Sequence, residues 1–255
     1  MIISDVKNII GNIPHMTPSQ GEVIYSMILD NDIFDILELG IAHGTGSCYM
    51  AAALQEKGKG SIITIDNKSA LLRKPDIFEL LKTCDLEAFV SPIFADSSYN
   101  WELMKLIKQQ TTNGVCEPLF DFCFIDGAHN FEIDNSAFFL VDKLLKPGGL
   151  ILFDDVNWTY ANSAGLKDTD WVKNMGADEK TTPHIKTLVE LVVMSHPSYT
   201  DFQFQDDWFL TRKKSSTTEE NLTPISLKAY KPHTGIAHDS IALLKKIARK
   251  LLGRS

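Results

Sequence analysis

"ILELGIAHGTG", residues 36–46, runs from an apolar stretch through Glu38 into a turn that carries Gly40, Gly44 and Gly46. A strand leading through a glycine-rich turn into a helix is one way to build a nucleotide-type pocket, and the glycine offsets say which kind. A dinucleotide turn needs G-x-G-x-x-G; counting from Gly40, the third place is Ala42 and the sixth is Thr45, so that pattern fails. A P-loop needs Gly-Lys-Ser/Thr, and Thr45-Gly46-Ser47 has no lysine. What remains is a glycine-lined turn preceded by an acid, suited to a ligand that carries an ammonium and a carboxylate next to a nucleoside.

Outward from this stretch the same alternation repeats. IFDILEL (33–39), SIITID (61–66), AFVSPIF (88–94), LFDFCFID (119–126) and GGLILFDD (148–155) are β-rich runs, and helical patterns lie between them. TGSCYMAAALQEKG (45–58) opens with two capping residues, Thr45 and Ser47, and stops near Gly58; SAFFLVDKLLKPGG (136–149) puts Ala137, Leu140, Val141 and Leu144 on one face. Strands alternating with helices predict a parallel sheet with crossover helices, and the unbroken apolar character of ILEL and GLILF marks central strands buried on both faces. TPSQGEVIYSMILDN (17–31) reads as a leading helix capped by Thr17, and TPHIKTLVELVVMSHP (182–197) as a late one. YTDFQFQ (199–205) and DWFLTRK (207–213) alternate as a closing hairpin. The expected fold class is α/β, a doubly wound, mostly parallel seven-stranded sheet with an antiparallel terminal edge. One domain spans 1–213, with a polar, lid-like loop over 156–181; a Ser/Thr/Pro-rich linker follows over 214–240, and a basic amphipathic helix over 241–255.

Composition narrows the function class. A net charge of −8 on 255 residues argues against wholesale nucleic-acid binding, which relies on clustered Lys and Arg. Cys48, Cys84, Cys116 and Cys123 show no C-x-x-C pair, so neither a zinc knuckle nor a disulfide framework is expected. The opening MIISDVKNIIGNIPHM has no cationic start followed by a long apolar run, and a cytoplasmic location follows as the expectation.

In an open α/β sheet, ligands bind beyond the carboxyl ends of the strands. Those ends are acidic here: Glu38, Asp66, Asp96, Asp126, Asp154 and Asp155. Asp66 is placed for a ribose diol, since one carboxylate accepts from both hydroxyls, and Asp96-Ser97 for the exocyclic amine of an adenine. ILELGIAHGTGS, ITIDN, FADSS, FIDGAH and LLKPGGLILFDDV resemble, in this order, the successive motifs of class I S-adenosylmethionine-dependent methyltransferases, over about residues 17–213. The nearest subset is the catechol-O-methyltransferase-like group with its relatives acting on sugars. The resemblance implies S-adenosylmethionine as cofactor. Glu38, Gly40, Ala42, His43 and Gly44 would surround its methionine part, Asp66 its ribose, and Asp96 and Ser97 its adenine, with Asn67 and Asp126 as further cofactor contacts. Ala42 departs from the commonest glycine-rich form of this turn.

Asp126 ends the fourth strand and Asp154-Asp155 the fifth, so adjacent parallel strands bring three carboxylates together, and three like charges need compensation. Hard divalent cations choose oxygen ligands. The resembled metal-dependent O-methyltransferases carry acids or an amide at these positions, so the expected ligands are Asp126, Asp154 and Asp155 for Mg²⁺, which would chelate two hydroxyls of the acceptor. The alternative is that Asp126 contacts the cofactor while the other two cap the following loop. His129 stands where the catechol-type enzymes carry a basic catalytic residue, and an imidazole can take the hydroxyl proton; a capping histidine is the plain alternative. Trp158, Tyr160 and Trp171 offer either a wall for the acceptor or anchors for the loop.

The expected reaction is methyl transfer to a hydroxyl of a sugar or other small polyol, with Asp126 and His129 in the catalytic roles. The expected partners are a small-molecule or glycan hydroxyl acceptor and a second copy of the chain. A nicotinamide-dependent oxidoreductase and a non-catalytic scaffold stay open as rivals. In 241–255 Ile241, Leu244, Ile247, Ala248 and Leu251 follow helical spacing beside five cations and no acid, which suits peripheral contact with an anionic inner membrane face.

Overall fold

Seven strands form the sheet: β1 (Asp35–Leu39), β2 (Ser61–Asn67), β3 (Val90–Ala95), β4 (Phe120–Ile125), β5 (Leu145–Phe153), β6 (Tyr199–Gln205) and β7 (Trp208–Lys213). The computed structural model describes residues 3–215, so the linker beyond Ser215 and the basic helix expected over 241–255 lie outside the described residues. The strand order is β3-β2-β1-β4-β5-β7-β6. β1 to β5 pair in parallel, and β7 runs antiparallel to both β5 and β6. The expected fold class is the one observed.

Residues alternate between the two faces of each strand, and the core divides accordingly. Ile36, Phe122 and Leu150 pack under α1 (Ile3–Ile10), α2 (Pro18–Asp30), α3 (Thr45–Lys57) and α4 (Ile77–Thr83). Leu37, Cys123 and Ile151 pack under α5 (Tyr99–Gln110), α6 (Phe131–Leu144) and a segment over residues 184–193. Both faces of β1 and β4 are therefore covered, which is why their sequences read as unbroken apolar runs. Cys48, Cys84 and Cys123 are buried and all four cysteines are free thiols. Among the described residues no helix is long and apolar enough to cross a membrane.

Local chemistry moved several boundaries. α2 starts where expected because Thr17 and Gln20 form a capping box. The cap of α3 is Gly44 in the left-handed conformation, with no side-chain cap; Ser47 donates instead to the buried Glu38 carboxyl. α6 begins at Phe131, five residues ahead of the apolar pattern, because the Asn130 side chain accepts from Glu132 N at 3.0 Å and Ile133 N at 3.1 Å. The Lys-Pro-Gly-Gly segment that closes the 136–149 pattern is the entry to β5, where the pairing with β4 is irregular. The helix expected over 182–197 is His184–Leu188 followed by a π-helical turn, Val189–Val193. The 156–181 loop carries only short helical turns.

Candidate active site

The order of the strands reverses at β1, with β2 and β3 on one side and β4 and β5 on the other. Leu39 is level with Ile65 on β2 and with Ile125 on β4, and Ile125 is level with Phe153 on β5. The next residues, Gly40, Asp66, Asp126 and Asp154, therefore form one row across four strand ends. Backbone bonds hold it: Gly40 N donates to Ile65 O (2.9 Å), Asp126 N to Leu39 O (2.8 Å) and Asp154 N to Ile125 O (3.0 Å). Above the row lies a cavity of about 1030 Å³ lined by all four residues.

The glycine turn closes against this row. At Gly40, with φ +98°, a Cβ would lie 1.7 Å from the Asp126 carbonyl oxygen, so only glycine fits between the two strand ends. Ala42 adopts φ +47°, a left-handed conformation that favours glycine. Asp66 shapes the turn: one carboxylate oxygen accepts from Ile41 N (2.8 Å) and Ala42 N (3.1 Å), the other from Asn67 N (2.6 Å). A carboxylate has about four acceptor sites, so Asp66 keeps capacity for a ligand hydroxyl. Glu38 lies beneath the turn at 2% exposure, and burial, with Asp126 and Asp66 nearby, pushes its carboxyl up to about 8 against the opposing Ser47 hydroxyl. Burial thus holds it toward the neutral form, and an ammonium placed above it would favour its ionised form.

The acids form the second half of the site. His129 Nε2 is 3.2 Å from Asp126 Oδ1 and 3.5 Å from Asp155 Oδ2, and one ligand atom from each of Asp126, His129 and Asp155 fits within a 4.8 Å cluster. Asp154 is outside that cluster; it is 5% exposed and accepts from Asp155 N at 2.7 Å. Burial, then repulsion by Asp126 and Asp155, drives Asp154 up to about 8. Burial also raises Asp155, to about 6, where His129 opposes and Asp126 and Asp207 add to the rise. For His129, burial alone would lower the imidazolium. The Asp126 hydrogen bond and the charges of Asp126, Asp155 and Asp134 outweigh it and lift the group to about 9. The donor set is two hard carboxylate oxygens and an imidazole nitrogen with excess negative charge beside it, which fits a divalent cation.

Among the other expected residues, Ala42, Asn67 and Ser97 line the cavity. Asp96 does not: its side chain is 85% exposed and pairs with Lys68. His43 Nδ1 donates to Pro75 O at 2.7 Å, so its role is to tie the turn to the segment after β2. Trp158 lines the cavity with its ring 5.3 Å from that of His129, while Tyr160 is buried behind it as an anchor and Trp171 is exposed. Sequence reasoning missed Asp134 and Tyr99. Asp134 is fully buried, accepts from Tyr99 Oη and from Asn130 N (2.9 Å), and so holds the 126–130 loop in place. The i to i+4 spacing of Asn130 and Asp134 ahead of an apolar helix was the available signal. It also missed His15 and Arg73, which lie on segments with no motif of their own. His15, Ala42, His129 and Asp155 are four of the eight non-glycine residues with positive φ among the described residues, and all four line this cavity. Each costs on the order of 1 kcal/mol or more, and such strain concentrates at functional sites.

Residues 37–156 match the family described as "Methyltransferase domain". Among solved structures the chain is similar to an O-methyltransferase from Bacillus cereus in complex with S-adenosylhomocysteine, at 19% identity and TM-score 0.57, covering 83% of this chain and 90% of that one. It is also similar to the methyltransferase PaMTH1 of Podospora anserina, bound to S-adenosylhomocysteine (17%, TM-score 0.58, 83% and 87% covered). A third is the O-methyltransferase TomG of Streptomyces achromogenes, involved in tomaymycin synthesis, in complex with S-adenosylmethionine (16%, TM-score 0.54, 83% and 89% covered). No curated protein sequence matches.

Proposed function

We propose that the chain, whose residues 37–156 match a methyltransferase domain, is an S-adenosylmethionine-dependent methyltransferase that methylates a hydroxyl oxygen of a sugar or other small polyol with the help of a divalent cation. The observation that carries this reading is the row Gly40, Asp66, Asp126 and Asp154 at the sheet's reversal point, under one cavity large enough for a nucleoside and an acceptor together. The cofactor supplies an electrophilic methyl group on a sulfonium. The protein's task is then to align oxygen with carbon and to help the hydroxyl lose its proton.

Glu38 and Asp126 provide negative charge beneath and beside the turn for the methionine ammonium, and Asp66 offers acceptor sites to the ribose. Asp126 and Asp155 would hold a cation such as Mg²⁺, whose contribution there would be to lower the pKa of a bound hydroxyl. His129 is the imidazole beside this group and is the proposed proton acceptor. With Asp126 and Asp155 both directed at it, the ring holds its proton at pH 7. Its work as a base therefore requires those carboxylates to be engaged by the cation or the acceptor hydroxyls. Trp158, against His129, gives the acceptor an apolar face suited to a sugar ring.

The test is transfer of labelled methyl from S-adenosylmethionine to a panel of sugars, polyols and catechols, with and without chelator. Acceptor-dependent labelling that Mg²⁺ restores supports the reading. Full activity in metal-stripped protein removes the cation, and failure of the protein to bind S-adenosylhomocysteine in calorimetry removes the methyltransferase role.

A further inference from the structure

The cavity carries groups of both signs. Asp66, Asp126, Asp154 and Asp155 line it, and so does Arg73. Among the described residues no carboxylate lies within ion-pair distance of this guanidinium; its partner is His15, whose Nε2 is 3.1 Å from Arg73 Nη1. A guanidinium only donates, so the imidazole accepts and is neutral. Burial, then the charge of Arg73 and the nearness of His43, hold His15 below its ordinary value, in keeping with that state. The bond occupies one of five N–H groups, and among the described residues the rest of the fork has no hydrogen-bond partner.

The placement is built from three separate segments. His15, on the connection between α1 and α2, has φ +82°, a left-handed backbone for a residue with a side chain. Its ring is 5.7 Å from that of His43, in the glycine turn, and His43 in turn holds the Pro75 carbonyl, two residues from Arg73. An always-charged group is thus braced beside the turn, in a cavity that four acids also line, with a neutral histidine as its only side-chain hydrogen-bond partner among the described residues.

We infer that Arg73, oriented by His15, is an oxyanion subsite of the cavity, taking a carboxylate or phosphate-type group of the bound ligand while the acids face its cationic part. The inference rests on the proposed function for the two sources of such a group: the methionine carboxylate of the cofactor, which the position beside the glycine turn favours, and an acidic group on the acceptor. Arg73 is a binding residue and His15 the positioning residue behind it, and the readout is binding.

The experiment titrates wild type, R73Q and R73K by calorimetry with S-adenosylhomocysteine and with methylthioadenosine, which shares the nucleoside and sulfur and lacks the amino-acid end. The expected result is at least tenfold weaker S-adenosylhomocysteine binding in R73Q, partial retention in R73K, and methylthioadenosine unchanged within twofold. If R73Q leaves S-adenosylhomocysteine unchanged but abolishes inorganic phosphate binding to the S-adenosylhomocysteine-loaded protein, the subsite stands and serves the acceptor. If R73Q alters neither, the inference is overturned. Should wild type bind neither nucleoside, the methyltransferase reading fails separately, and phosphate titration of the free wild type against R73Q still decides the subsite.

Discussion

Replacing Glu38 by glutamine removes a buried ionisable group from directly beneath the glycine turn while keeping its shape and an acceptor oxygen for Ser47. In the folded protein burial raises this carboxyl from its ordinary 4.5 to about 8. Between these two values the unfolded chain has lost the proton and the folded chain has kept it, so stability falls as pH rises. The benefit of the protonated carboxyl is complete below pH 4.5 and is lost as pH passes through about 8. At ~1.4 kcal/mol per pH unit the window is worth a ceiling of about 5 kcal/mol. Asp154, Asp155 and His129 are also raised and contribute slopes of the same sign; the difference between wild type and E38Q isolates Glu38. Urea denaturation at closely spaced pH values from 5 to 8 would show wild type losing several kcal/mol more than E38Q. Parallel stability curves for the two proteins would refute the argument, because they would mean that Glu38 is as ionised in the fold as in the unfolded chain.

Three further outcomes test other levels of the structure. G40A meets the Asp126 carbonyl and a left-handed backbone together; it should lose about 3 kcal/mol or more in denaturation and bind S-adenosylhomocysteine poorly, and near-wild-type stability would contradict the close approach of β1 and β4. Asp121 accepts from Phe34 N (3.0 Å), Asp35 N (2.9 Å) and Lys146 Nζ (2.9 Å) at the opposite ends of these strands. D121N should therefore cost roughly 1–3 kcal/mol with S-adenosylhomocysteine affinity unchanged, a separation that calorimetry checks. Mg²⁺ at a hundred times its Kd should stabilise the protein by about 2.7 kcal/mol, seen as a melting shift of roughly 5–10 °C that chelator reverses and D126N or D155N abolishes. No shift at millimolar Mg²⁺ would remove the cation from Asp126 and Asp155.

Much of the fold was legible because both of its signals are local. Apolar runs such as ILEL and GLILF need only hydrophobicity, and stops such as Gly58 only backbone freedom, so the strands landed within a few residues of their places. Helix starts were read less well. The cap of α6 is a side-chain bond from Asn130, and the buried Asp134 in its first turn looks polar and exposed in sequence until Tyr99 and Asn130 N are known to satisfy it. Asp96 and Ser97 are adjacent in sequence, yet only Ser97 lines the cavity, because Lys68 draws Asp96 toward solvent.

The amino-acid sequence by itself determined the α/β class, the glycine turn with Ala42 in place of a glycine, and the acids that end the strands, since each follows from composition and spacing within a short window. Tertiary structure alone decided which acids share a site. Parallel register sets Gly40, Asp66, Asp126 and Asp154 in one row, and the left-handed backbone at His129 and Asp155 brings an imidazole between Asp126 and Asp155 while Asp154 stays buried. It also set Arg73 against His15, 58 residues away in the chain. Such a pairing depends on how three loops meet above the sheet, which no local pattern records.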